Sequence, residues 1–189
     1  MSIPLLFLVS IIPDIDLLIP RLEHRGPTHS IILATLIFIP IFTYYRRNAI
    51  PYFIALAQHA LIGDYLAGGG IQLLWPLNAI FYYGLTIEIT GLLNILLEWI
   101  CFLLCFAILF KTRDAWTLLQ PHPSNLILSI PLLTVFLPTF LSLPLHVPLL
   151  LVIPHLAYLL LFTLSILTDF KAILKKTKNG TEDARVISH

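Results

Sequence analysis

At 189 residues, 58% hydrophobic and only 11% charged, with a mean hydropathy of +0.93, the chain lacks the polar surface of a soluble globule, which carries about 25% charged residues. A net charge of +1, with the basic residues in short clusters between apolar runs, argues against a nucleic-acid partner and suits orientation in a membrane. Composition therefore predicts an integral membrane protein of the all-α class, a polytopic transmembrane helix bundle.

The first apolar run, Ile3 to Ile12, is about half of the roughly 20 residues that a bilayer crossing takes. It has neither a basic n-region nor a small-residue cleavage site, so it reads as a short half-span and not as a secretory signal. Five longer runs follow, His29 to Tyr45, Ile50 to Tyr65, Leu85 to Phe110, Leu126 to Leu145 and Val147 to Thr168, and predict about five spanning helices. Between the second and third lie Gly68-Gly69-Gly70 and then Trp75, Pro76, Tyr82 and Tyr83, a density of aromatics and proline expected of an interfacial segment. Residues 1–170 read as one transmembrane domain with its site motifs in 13–88, and residues 171–189 as a polar, flexible cytoplasmic tail.

Lysine and arginine prefer the cytoplasmic side. Arg46 and Arg47, Lys111 and Arg113, and Lys171 with Lys175, Lys176 and Lys178 all fall inside if two crossings separate each successive cluster. That count places the C-terminus in the cytoplasm and the segments Pro13 to Thr28 and Asp64 to Tyr83 together on the outer side.

Asp14 and Asp16 stand two residues apart in Ile12-Pro13-Asp14-Ile15-Asp16. Pro13 predicts that the chain leaves the first helix near Ile12, and in extended backbone residues i and i+2 point to one side. Two carboxylates aimed at one point repel unless a cation lies between them, and charges at a membrane edge are costly and usually functional. The competing reading pairs these acids with Arg21 and Arg25. His24 and His29 flank a Gly-Pro turn, and Thr28 is the expected N-cap of a helix starting at His29, where free N–H groups beside Arg25 would favour a phosphate.

His59 and Asp64, in Gln58-His59-Ala60-Leu61-Ile62-Gly63-Asp64, are five apart, which separates them by about 140° in a regular helix. They converge only if Gly63 ends or distorts it. Glu88, Gly91, Asn94 and Glu98 form a polar stripe expected to face inward. Glu88 lies near the outer end, within reach of a metal or substrate. Isolated His146 and His155 carry little signal.

These motifs, with Gly70-Ile71-Gln72-Leu73-Leu74-Trp75-Pro76-Leu77, resemble a family of membrane-bound metal-dependent hydrolases, described as LexA-binding and inner-membrane-associated, over roughly residues 10 to 100. The resemblance implies a multi-helix membrane protein with a metal site at Asp14, Asp16, His24, His29, His59 and Asp64. Two departures stand out: Met1 to Ile12 contains no histidine, which that family usually has in its first helix, and the family tends to space the later histidine and aspartate by four.

The reading that follows is a membrane-embedded metal-dependent hydrolase of a phosphate ester or lipid headgroup at the outer face. Asp14, Asp16, His29, His59 and Asp64 are the expected ligands of one or two divalent metals, zinc or manganese before calcium. His24 and Glu88 are the expected acid–base groups and Arg25 the stabiliser of phosphate charge. An ion- or proton-conducting transporter built on His59, Glu88 and Glu98, and a non-catalytic scaffold, are the alternatives.

Overall fold

The computed structural model describes residues 2–88, 90–136, 140–141 and 148–187. It is helical, with no strand among the described residues and one isolated antiparallel bridge, Ile71 to Tyr82. The chain forms two compact units, Met1–Cys101 and Phe102–His189.

In the first unit, α1 (Ile3–Ile11) starts with Pro4 in its first turn, where a missing N–H costs nothing. It passes into a 3-10 helix, Ile12–Leu18. After a second 3-10 turn, Pro27–His29, α2 (Ile31–Tyr45) is capped by Ser30, whose hydroxyl accepts from Leu33 N–H. A 3-10 turn over Arg46–Ala49 leads into α3 (Ile50–Gln58), again opened by a proline. α3 continues as a π-helix, His59–Gly68. Val9, Phe38 and Leu56, one from each of α1, α2 and α3, make the core of this unit. The loop from Gly69 to Gly84 then folds back: Ile71 exchanges two backbone hydrogen bonds with Tyr82, and Gly84 N–H donates to Tyr65 C=O at 3.0 Å. Ile71 is fully buried and Gln72 nearly so, while Leu77, Ile80 and Tyr83 stay exposed.

α4 (Leu92–Lys111) runs through the boundary between the units. In the second unit, α5 (Asp114–Leu118) leads through a loop into a 3-10 segment, Pro123–Leu128, that packs on α6 (Val152–Ile187). Leu118, Leu128, Leu151 and Phe162 are buried here.

Two helices, Leu92–Lys111 and Leu149–Leu174, are long and apolar enough to cross a membrane, where the sequence predicts about five. The reason lies in prolines and short elements. α2 has 15 residues, about 22 Å against a hydrocarbon layer of about 30 Å. α3 has nine before it changes winding. The run from Leu126 breaks into 3-10, α and π pieces around Pro131, and its remainder, with His146, falls largely outside the described residues. The two crossings needed between basic clusters are thus not all supplied by full-length spans. Helix α4 begins at Leu92, so Glu88 and Gly91 precede it and the expected four-residue stripe reduces to Asn94 and Glu98. These two are joined by a hydrogen bond from Asn94 Nδ2 to Glu98 Oε1 at 2.8 Å.

Candidate metal centre

Asp14 and Asp16 approach different edges of the same His29 ring. The chain between them is 3-10, not extended, and with three residues per turn positions two apart diverge by about 120°. Asp14 turns one way, its Oδ1 lying 3.3 Å from His59 Nε2 and 3.6 Å from His29 Nε2. Asp16 meets the Nδ1 edge of His29 and is 2% exposed.

Asp64 completes the group, with Oδ2 3.1 Å from His29 Nε2 and 3.2 Å from His59 Nε2. The five-residue step from His59 to Asp64 closes because the helix is π there: hydrogen bonds run i to i+5, so residues five apart stack on one face. Gly63 sits in this stretch exposed, with open space where a Cβ would be. The distortion that the sequence requires is a change of winding, with no helix end.

The ligand atoms of Asp14, His29, His59 and Asp64 all lie within 4.8 Å of one another. Their four histidine–aspartate separations, 3.1 to 3.6 Å, bracket the edge of about 3.3 Å of a tetrahedron with metal–ligand bonds of roughly 2.0–2.1 Å. Buried His29 Nε2 and Asp64 Oδ2 have no partner in hydrogen-bond geometry, although they are close. Such atoms aim at a shared centre instead of at each other, and two histidines with two carboxylates suit zinc or manganese.

Asp16 has a different part. Its Oδ2 accepts from Arg25 N–H at 3.0 Å and Thr28 Oγ1–H at 2.8 Å and lies 3.3 Å from His29 Nδ1; its Oδ1 lies 3.0 Å from His24 Nδ1. Because Thr28 gives its proton to Asp16, its oxygen is free to accept from His29 Nδ1 at 3.1 Å. That favours a proton on His29 Nδ1 and leaves Nε2 as the nitrogen that faces the cluster. Asp16 therefore orients ligands rather than serving as one in the four-residue group, the arrangement in which a carboxylate behind a metal-binding imidazole sets its tautomer. Asp14, Asp16 and His24 also lie close enough to form a smaller three-residue metal-binding group, in which Asp16 and His24 would be ligands.

Arg25 serves Asp64. Its Nε lies 3.0 Å from Asp64 Oδ1, and its backbone, in the left-handed region at φ 63, turns its N–H to Asp16 and its C=O to Gln72 N–H at 3.0 Å. Gly69, at φ 129, packs where an added Cβ would come 2.9 Å from Arg25 Nη1. The expected anion site at Thr28 is absent: the cap of α2 is Ser30, and Ile31 N–H is taken by Leu73 C=O and Leu33 N–H by Ser30. Glu88 is exposed and accepts from Thr90 Oγ1 at 3.0 Å; no hydrogen bond or ion pair links it to the cluster. Thr28, as the proton donor to Asp16, is the site residue whose role sequence reading missed.

The electrostatics follow from this packing. Burial alone would lower the pKa of His29 and His59, but Asp14 and Asp64 raise both, His59 to about 9. Burial would raise the Asp14 and Asp64 carboxyls, yet contacts with the same two histidines hold them well below the usual carboxylate range. Without a metal the two histidines are thus biased toward the imidazolium form and the two aspartates toward the carboxylate, so a dication bound there would take the place of protons.

The model of the family described as YdjM inner membrane protein matches residues 1–140, and the chain belongs to that family. This agrees with a membrane location and covers the whole cluster. No curated protein and no solved structure matches the chain.

Proposed function

We propose that this member of the YdjM inner membrane protein family is a metal-dependent hydrolase of a phosphate ester, in the form of a lipid headgroup or a related amphiphile. The observation that carries the reading is the convergence of His29 Nε2, His59 Nε2, Asp14 Oδ1 and Asp64 Oδ2 on one half-buried point. Asp14, His29, His59 and Asp64 would hold a divalent cation which, with a coordination position beyond these four groups, would supply Lewis-acid polarisation of a phosphoryl oxygen and acidify water at neutral pH.

The chain's own groups do the rest. Asp16 Oδ1 accepts from His24 Nδ1–H, which leaves His24 Nε2 as the proton acceptor. The His24 side chain is 41% exposed, so a substrate can reach it. The same carboxylate steadies His29 through Oδ2, so base and ligand are positioned by one residue. Arg25, engaged with Asp64, is a positioning group in this reading, and Glu88 has no part in it.

A membrane amphiphile is favoured by the surroundings: Ile15, Leu17, Leu18 and Ile19, adjoining the two aspartates, are exposed, as are Leu77, Ile80 and Tyr83 in the loop that binds Arg25. Exposed apolar residues beside a charged cluster fit a position at the headgroup level. The Arg46–Arg47 turn joins the ends of α2 and α3 remote from the cluster. By the positive-inside tendency it faces the cytoplasm, with its side chains snorkelling, and the cluster faces the outer side. Lys171, at the end of the second candidate span, favours a cytoplasmic C-terminus by the same rule.

The test is to purify the protein in detergent, measure bound metals, and assay phosphate monoesters, diesters and phospholipids before and after chelation. Chelator-sensitive hydrolysis that returns with zinc or manganese and is lost in Asp64→Ala is the expected result. Metal bound without hydrolysis of any such substrate would leave a metal-binding scaffold and sink the enzyme reading.

A further inference from the structure

We propose that a second site, in the unit Phe102–His189 and independent of the metal cluster, binds a primary ammonium group on Asp169. Asp169 is 2% exposed. Its Oδ1 accepts the backbone N–H of His122, whereas Oδ2 is buried with no hydrogen-bond partner. A buried carboxylate oxygen left so is costly, and the one beside it is committed to a backbone amide, which is too weak to neutralise the charge.

Asp169 lines a cavity of about 170 Å³ together with Pro121, His122, Pro123, Ala172 and Ile173. The wall is held in place: Asn125 Nδ2 donates to Leu118 C=O at 3.0 Å and to Gln120 C=O at 2.9 Å, and Asn125 N–H to His122 C=O at 2.8 Å. Among the described residues, no lysine or arginine lines the cavity. The His122 ring is turned to Ser124, accepting its N–H at Nδ1, so neither supplies the missing charge.

The lining selects the cation. A metal needs several oxygen or nitrogen donors, and a quaternary ammonium needs aromatic faces; among the described residues the cavity has a single carboxylate, that of Asp169, and no aromatic ring other than imidazole. Two pyrrolidine rings, a methyl group and an isoleucine suit a short methylene stem carrying an NH₃⁺ group. At about 30 Å³ per water, the volume exceeds what one solvent molecule needs. Asp169 lies near the C-terminal end of the candidate span Leu149–Leu174, the depth of lipid headgroups, so the ammonium can belong to an aminophospholipid or to a free amine.

The test places the full-length protein in nanodiscs of equal parts dioleoyl-phosphatidylethanolamine and dioleoyl-phosphatidylglycerol. Lipids retained on gentle detergent extraction are then counted by native mass spectrometry, and free ethanolamine is titrated in parallel by saturation-transfer NMR. The expected result is preferential retention of the ethanolamine lipid by about tenfold, the effect of one charge-assisted hydrogen bond. Asp169→Asn, which keeps the acceptor for His122, and Ala172→Leu, which fills the cavity and keeps the carboxylate, both abolish it. Ethanolamine binding without lipid preference supports the site and names the free amine as its source. Equal retention of both lipids with no ethanolamine binding, or a preference that survives both substitutions, overturns the proposal.

Discussion

Asp16 Oδ2 lies 3.3 Å from His29 Nδ1, on the edge of the imidazole opposite the nitrogen that faces Asp14 and Asp64. A carboxylate so placed can orient His29 within the four-residue group, and loss of such a partner typically lowers metal affinity about 10- to 100-fold. Asp16→Asn is therefore expected to weaken zinc or manganese binding by that factor, and Asp14→Ala or Asp64→Ala to eliminate stoichiometric binding. Competition titrations against a fluorescent chelator measure both. Equal losses in all three variants would return Asp16 to the ligand set.

The π-helical winding of His59–Gly68 has a consequence in sequence length. Ile62 is 57% exposed and lies between the two ligands, so deleting it removes the one extra residue and permits an ordinary α turn with histidine and aspartate four apart. The deletion is expected to keep the metal stoichiometry of the unmodified protein. Insertion of an alanine after Gly63 is expected to destroy it, since neither winding then aligns the pair. Loss of metal in the deletion variant would show that π geometry itself is required.

Much of this site was legible before folding because charge is scarce in the chain. Asp14, His29, His59 and Asp64 stood out as ionisable residues flanking apolar runs, and the 3-10 turn after Pro13 and the π turn around Gly63 carry them together. What was not legible is which oxygen faces which nitrogen. Spacing cannot distinguish an extended Asp14–Asp16 pair from a 3-10 one, and so cannot separate a ligand from its orienting partner. The two spanning-length helices are fewer than the apolar runs because hydrophobic length registers apolar residues and not the late start of α2 at Ile31, the change of winding after Gln58 or the break around Pro131. Glu88 was drawn into the site by a helical stripe that begins only at Leu92.

The charge balance of the cluster predicts opposite pH responses with and without metal. His59, raised from 6.5 to about 9, contributes stability that is fully present below pH 6.5 and is lost as pH rises through 9; His29, also raised, acts in the same direction. Asp14 and Asp64, both lowered from 3.8, contribute stability present above that value and lost in stronger acid. The metal-free protein is thus expected to soften in thermal melts between pH 6.5 and 9. Metal affinity rises over the same window, because binding displaces the imidazolium protons. Melts in detergent with and without chelator across this range test both signs, and a metal-free protein that stiffens with alkalinity would contradict the assignment.

Gly69 stands at φ 129, and a Cβ there would come 2.9 Å from Arg25 Nη1. Gly69→Ala combines a strained backbone, which costs about 1–3 kcal/mol, with pressure on the guanidinium whose Nε holds Asp64 Oδ1 at 3.0 Å. The expected outcome is a lower melting temperature together with weaker metal binding. Arg25→Lys should reproduce the weaker binding without the backbone penalty, because an ammonium cannot replace the planar guanidinium. Comparing melts and metal titrations of the two variants separates strain from electrostatics.

The sidedness of the cluster decides which substrates can reach it. Glu23 is exposed beside the cluster, its carboxylate accepting from Gln72 Nε2 at 3.2 Å, and Asn48 is exposed in the turn that joins α2 to α3. Single cysteines at these positions, in a chain with Cys101 and Cys105 replaced by serine, are expected to react with an impermeant maleimide from opposite sides, Glu23→Cys from outside and Asn48→Cys only after the membrane is opened. Reaction of Glu23→Cys from the cytoplasmic side alone would move the substrate to that leaflet. Labelling of both from one side would mean that the α2–α3 hairpin does not cross, so that its 15-residue arm is too short even with arginines extended. Either result would leave the metal cluster intact and change only the membrane face from which its substrate comes.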